Sequence, residues 1–238
     1  MSESKPTPVM SWPASLAEIP VPRAVSLAAL VIVNLIPLAG VLYWDWDVGS
    51  VVILYWSENL VIGAYTILKM LVENRFGGLF LSAFFLIHYG GFCAVHGLFV
   101  LAMTQPEMPD VLSDMNWPFV FVFVELLVKV IGHVLSIAPQ EWLIGFVALF
   151  VSHGISLWLN YFRGGEFRRQ SVKDLMSAPY KRIVVLHIAI IAGGFGIMAL
   201  GSPLALLLLL ILLKTVMDVW LHLRERRRQA PASVAAAG

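Results

Sequence analysis

Glu58, His96, His153, His187 and Asp218 combine the side-chain types that ligate zinc or non-haem iron with those that accept protons. Each lies inside or at the end of a long apolar stretch and not in a polar loop. A catalytic metal site of this kind takes three protein ligands and leaves a position open. His96, His153, His187 and Asp218 are the candidate ligands, and Glu58 or Asp218 is the candidate proton acceptor. His88, His133, Lys214, His222 and Asn160 are the other buried polar candidates, able to orient an imidazole or pass a proton. Lys214, Asp218 and His222 recur every four residues, which puts them on one stripe of a helix, and His153, Ser156 and Asn160 form another. No contiguous metal motif such as HExxH occurs, so any such site has to be assembled from several helices.

The elements that must position these residues are membrane helices. The chain has 238 residues, 59% of them hydrophobic and 13% charged, with mean hydropathy +0.84. That is about half the charge a soluble domain carries. A net charge of +1 excludes nucleic-acid binding driven by bulk charge. Cys93 is the one cysteine, which excludes a disulfide framework and a thiolate metal cage.

Crossing the hydrocarbon takes about 20 apolar residues in a helix, and seven windows qualify: 24–44, 49–72, 79–104, 117–137, 142–162, 182–200 and 203–223. The expected fold is an all-α membrane bundle of about seven transmembrane helices. Six helices plus a re-entrant segment is the alternative, because the joint at Ala138–Glu141 is very tight. Residues 1–22 read as a polar, proline-containing tail, 23–228 as a single transmembrane domain and 229–238 as a disordered tail. Within the basic 163–182 connection, Ser171 and Asp174 form an N-cap pair for a short interfacial helix that Pro179 ends. That connection and the Arg224–Arg228 cluster hold ten lysines and arginines, which places the C-terminus in the cytoplasm and, with seven spans, the N-terminus outside. Arg23, Lys69 and Arg75 then fall outside, against the same rule.

Helix rise converts these positions into depths. Counted from the cytoplasmic window ends, Glu58, His96, His153 and Lys214 come out at about 12–14 Å, and His187 and Asp218 at about 7–8 Å. His88 and His133 fall on a second level at about 24 Å. Gly90, Gly91, Ala94 and Gly97, with Ala192, Gly193, Gly194 and Gly196, provide small residues for close helix packing around such a layer.

The leading expectation is a metal-dependent membrane enzyme, using zinc or iron, acting on a lipid-like substrate from the cytoplasmic side. A b-type haem electron-transfer protein with paired histidine ligands is one alternative. A proton-coupled transporter with Glu58, Lys214, Asp218 and the histidines as a relay is another. A Schiff-base role for Lys214 ranks last. Structural readings stand beside these: Glu125–Lys129 and Lys214–Asp218 are spaced as helical ion pairs, and a lone membrane histidine commonly bonds a neighbouring helix. Trp44, Trp46, Trp117, Trp142 and Trp220 lie at span ends, as interfacial anchors do.

The strings YWSEN at 55–59, HYG at 88–90, SHG at 152–154, NYF at 160–162, PYKRIVVLH at 179–187 and KTVMDVWLH at 214–222 resemble a family of bacterial integral membrane proteins known as a domain of unknown function. The resemblance covers about 24–228 and implies a multi-pass protein of the bacterial inner membrane, without an activity. The histidine and aspartate layout is also faintly similar to seven-helix zinc hydrolases that include alkaline ceramidases and adiponectin receptors. DVWLH stands where those have an HxxxH pair.

Overall fold

Lipid leaves no water to satisfy backbone N–H and C=O groups, so long apolar stretches become helices. In the computed structural model, which describes residues 23–73, 75–105, 107, 110–163 and 172–229, no strand occurs among the described residues. The elements are α1 (Arg23–Tyr43), α2 (Val48–Glu73), α3 (Arg75–Thr104), α4 (Val122–Ile137), α5 (Gln140–Ser156), α6 (Val172–Ser177), α7 (Tyr180–Leu200) and α8 (Leu204–Gln229). A 3-10 turn, Phe119–Phe121, leads into α4, and a π-helical stretch, Leu157–Arg163, continues α5. Among the described residues, five helical stretches are long and apolar enough to cross a membrane. The protein is a multi-pass helical membrane protein. The short α6 occupies the place expected for an interfacial helix, whereas Ser171, the 1–22 tail and residues 230–238 lie outside the described residues.

Side-chain contacts fix the helix directions. Trp56 on α2 donates from Nε1 to the Cys93 carbonyl at 2.8 Å, and Tyr89 on α3 donates to the Asn59 carbonyl at 3.1 Å, so α2 and α3 are antiparallel. Gly97 makes this approach possible, since a Cβ there would sit 2.5 Å from the Trp56 ring. On α5, Gly145 faces Leu54 and Phe150 accepts from the Tyr65 hydroxyl at 2.8 Å, while Tyr161 reaches the Lys69 carbonyl at 3.2 Å. α5 therefore runs parallel to α2, and the π-helical stretch carries the buried Tyr161. α7 runs parallel to α3, with Tyr180 beside His88 and His187 beside His96. α8 returns along α7, where Gly193 faces Leu206 and Gly196 faces Ala205. The glycines of both expected sets thus meet a neighbouring helix, whereas Ala192 is exposed.

α4 departs from a simple up-and-down order. Gly91 faces Phe123, Gly90 faces Leu127 and Gly97 faces Val130, so α4 runs parallel to α3 although it follows α3 in the chain. Gln105, at the end of α3, shares a cleft with Val134 and Ile137, at the end of α4. The connecting chain must therefore come back down along α4 before α4 climbs. Glu125 and Lys129 hold that return. The Glu125 carboxylate accepts the backbone N–H groups of Asn116, at 3.0 Å, and Trp117, at 2.8 Å, and Lys129 donates to the Ser113 carbonyl. The expected ion pair between these residues is replaced by two backbone clamps, because non-helical backbone in lipid has to find partners inside the protein.

The return and α4 together begin and end at one end of the bundle, the arrangement anticipated as six helices plus a re-entrant segment. The helix directions then bring the start of α1 and the end of α8 to the same end. This differs from the opposite-sided termini expected from seven spans. Arg23, Lys69, Arg75, Arg163, Lys173 and the Arg224–Arg228 run all belong to that end, while Trp44, Trp46 and Trp142 belong to the other. The conflict with the positive-inside rule disappears once α4 is not counted as a crossing.

Reporter fusions at the two termini are expected to report one and the same compartment, the cytoplasm; opposite compartments would mean that α4 crosses. Glu125→Ala removes the acceptor of the Asn116 and Trp117 backbone N–H groups. It is expected to lower the unfolding temperature of the detergent-solubilised protein well below that of Glu125→Gln, whose amide oxygen still accepts.

Candidate functional site

Glu58 lies in the first half of α2 and is 8% exposed. Its Oε1 accepts from Arg182 Nη1 of α7 at 2.9 Å, and its Oε2 from Lys214 Nζ of α8 at 2.5 Å. His153 Nε2 of α5 stands 3.8 Å from the same carboxylate. The Lys214 ammonium also sits 4.9 Å from the Tyr55 ring centroid, over its negative face. Four helices therefore converge on one carboxylate, and two permanent cations share a single anion. A carboxylate is the one partner that can grip an arginine and a lysine at once through its two oxygens.

Two of these relations follow the sequence expectation and one does not. Glu58, Lys214 and His153 were expected at one depth and do meet. The sequence puts Arg182 at the edge of its window, but α7 starts level with His88 of α3, which brings Arg182 to Glu58 inside the bundle. Lys214 is bonded to Glu58 on α2. The side chains of Asp218, His222 and Asn160 lie outside the described residues.

This charged centre lies on the wall of a cavity of about 630 Å³ bounded by Trp44, Asp45, Asp47, Tyr55 and Trp142 as well as Glu58 and Lys214. Asp45 and Asp47 belong to the α1–α2 turn at the tryptophan end. Eleven residues of helix rise, about 16 Å, separate Asp47 from Glu58. Asp47 also caps α2, accepting from the Ser50 N–H at 2.6 Å. Trp142 is buried, at 6% exposure, and its indole N–H has no partner among the described residues. That orphan donor sets Trp142 apart from an interfacial anchor, whose N–H would reach water or headgroups.

The second histidine group is separate. His96 Nδ1 lies 2.6 Å from the Phe92 carbonyl, which can only accept, so this nitrogen carries the proton. The neutral ring then presents Nε2 as an acceptor, and the His187 Nδ1 at 3.0 Å must donate to it. In the neutral tautomer this leaves the lone pair on His187 Nε2. His88 pairs with the Tyr180 hydroxyl at 2.7 Å. All three histidines line a second cavity of about 610 Å³ between α3 and α7.

His133 does not join them. Val130 faces Gly97, so His133 is level with about Val100, some 18 Å along α3 from His88. The expected outer level shared by His88 and His133 does not exist, because α4 runs parallel to α3. The expected metal set is likewise divided: His96 and His187 form one pair, and His153 belongs to Glu58 on another face of α7. Among the described residues no three of His, Cys, Asp and Glu gather as a metal site. Depth along a helix axis placed these residues in one layer, but azimuth around the axis decided which of them meet.

Residues 19–235 match the model of a family of unknown function, DUF6498. The chain belongs to that family. No curated protein matches, and no solved structure matches. The expected resemblance to an uncharacterised family holds, and the roles of residues in this DUF6498 protein rest on geometry alone.

Removing Glu58 leaves Arg182 and Lys214 facing each other without an anion. Glu58→Ala is expected to destabilise the solubilised protein by about 3 kcal/mol, the low end for breaking a buried ion pair, since the cations are partly exposed. In a thermal-unfolding double-mutant cycle, adding Lys214→Met to Glu58→Ala should recover part of that loss; simple additivity would remove the coupling.

Proposed function

We propose that this protein is a proton-coupled carrier for a small amphoteric solute, with Glu58 as the proton-accepting group. One observation carries the reading: a buried carboxylate, clamped by cations from the α7–α8 hairpin, lies on the wall of a cavity that reaches the tryptophan end. Ionisable residues inside a membrane bundle mark substrate and ion pathways. Protonating Glu58 removes the anion that Lys214 and Arg182 share. A solute carboxylate can then take that place, and the orphaned Trp142 N–H offers it a further donor along the cavity wall. Asp45 and Asp47 on the same cavity favour a solute that also carries an amine. Binding of proton and solute together would loosen α7–α8 from α2, the kind of two-state contact that alternating access needs.

Proteoliposomes offered amino acids, dicarboxylates and simple amines are expected to accumulate a member of the first group, with internal acidification followed by an entrapped pH dye. Glu58→Gln should abolish both signals. Failure of every solute to enter, or uptake unaffected by Glu58→Gln, would overturn the reading.

A metal-dependent enzyme acting on a lipid-like substrate is the second reading, favoured by His96 Nε2 and His187 Nδ1 standing 3.0 Å apart. Two nitrogens at that spacing can chelate one zinc or iron ion in place of their hydrogen bond. Protein purified from bacterial inner membranes without chelator should then hold one equivalent of metal, lost in His96→Ala; absence of metal in the wild type would remove this reading.

A further inference from the structure

The cavity between α3 and α7 opens sideways, away from the charged centre. Its outer wall is apolar and exposed: Phe99 is 51% exposed, Phe195 69% and Met198 83%. In a bundle that crosses the bilayer these are lipid-facing positions, so lipid rather than water has access to the cavity. Along α3 it extends from His88 to Met103, about 22 Å by helix rise, more than half the hydrocarbon thickness. Gly91 and Gly194 keep its walls thin enough for a chain to lie in it.

One polar atom does not fit an apolar groove. With both rings neutral, the contacts from Phe92 through His96 to His187 leave His187 Nε2 as an acceptor, and no group among the described residues donates to it. His187 is exposed and lines the groove. An acceptor left without a donor at membrane depth is costly, and the groove around it has no polar residue other than the histidines themselves. A donor must therefore arrive with the occupant. Phe92 and Phe123 flank the region near His187 with aromatic surface, while Phe99, Met103 and Met198 continue it with chain-like apolar lining.

We infer that this groove is a binding site for a long-chain lipid whose head carries an O–H group, the hydroxyl donating to His187 Nε2 and the chain lying along Phe99, Met103 and Met198. An isoprenoid alcohol and a quinol both carry that chemistry. The site uses no residue of the Glu58 centre, and it keeps the His96–His187 hydrogen bond that a metal would replace, so it stands apart from the carrier reading and is an alternative to the metal reading.

The test uses the full-length protein in nanodiscs, with farnesol, decylubiquinol and decylubiquinone as probes and binding followed by thermal shift and by competition. The quinone shares ring and tail with the quinol but has no hydroxyl on the ring. The quinol is expected to bind more tightly than the quinone by about three- to tenfold, the value of one hydrogen bond. His187→Phe should erase that difference, whereas His187→Gln, which keeps an acceptor, should retain part of it. Gly194→Leu, which fills the groove at a distance from His187, should weaken all probes together. Binding of farnesol as well as quinol marks a general lipid-alcohol site; binding of quinol alone marks a quinol site. Equal affinity for quinol and quinone, an unchanged preference in His187→Phe, or no binding by any probe would overturn the inference.

Discussion

The cost of leaving a charge or a backbone polar group unpaired in hydrocarbon governs this molecule. In water a lone glutamate or an extended peptide costs little, because solvent supplies partners. In lipid each must find its partner within the protein or in a ligand. Three arrangements answer to that one constraint. Glu58 gathers Arg182 and Lys214 from separate helices, Glu125 and Lys129 clamp the returning backbone at Ser113–Trp117, and His96 relays the Phe92 carbonyl to His187. Hydrophobic burial does not distinguish a helix facing lipid from one facing another helix, so these polar contacts and the close glycine approaches carry much of the specificity of assembly.

The same constraint separates the two cavities in character. The one beside Glu58 holds carboxylates, a lysine and an orphan indole N–H, and it meets the turn that ends α1. Such a lining suits a polar solute arriving from water. The one between α3 and α7 is apolar apart from its histidines and faces outward, which suits a guest already dissolved in the bilayer. α7 serves both regions, contributing Arg182 to the Glu58 carboxylate and His187 to the apolar cavity. Five residues along a helix turn the side chain by about 140°, so a single rigid element contributes to both. A shift of α7 large enough to break the Arg182–Glu58 contact would also move His187 against His96.

Much of the architecture was legible from residue order. Apolar windows gave the helices to within about six residues at each end, since lipid permits few alternatives, and the glycines of the third and sixth windows do face neighbouring helices. The doubled reading of the fourth window was also visible in the sequence: the tight joint at Ala138–Glu141 and the misplaced Arg23, Lys69 and Arg75 are both consequences of a hairpin that enters and leaves at one end. What hid this was the apolar composition of residues 117–137, which is the same whether a helix crosses or returns. Glu125 and Lys129 looked like an ordinary helical pair because i,i+4 spacing does not say whether the two ends of the pair point at each other or at a third segment.

By itself, the sequence determined the solvent of this protein, the number and extent of its helices, and which few ionisable residues must be paired. These depend on composition and on helix rise, both local properties. Only the tertiary structure decided the partners. Arg182 became the second cation on Glu58 because α7 begins level with the middle of α3. His153 and His187 parted because they face different neighbours, with His187 more than a turn along α7 from the Arg182 that meets Glu58, and His88 and His133 because α4 runs with α3. Depth is a one-dimensional coordinate that can be counted along the chain; rotation about each helix axis and the direction of each helix are fixed by packing, which no single segment contains.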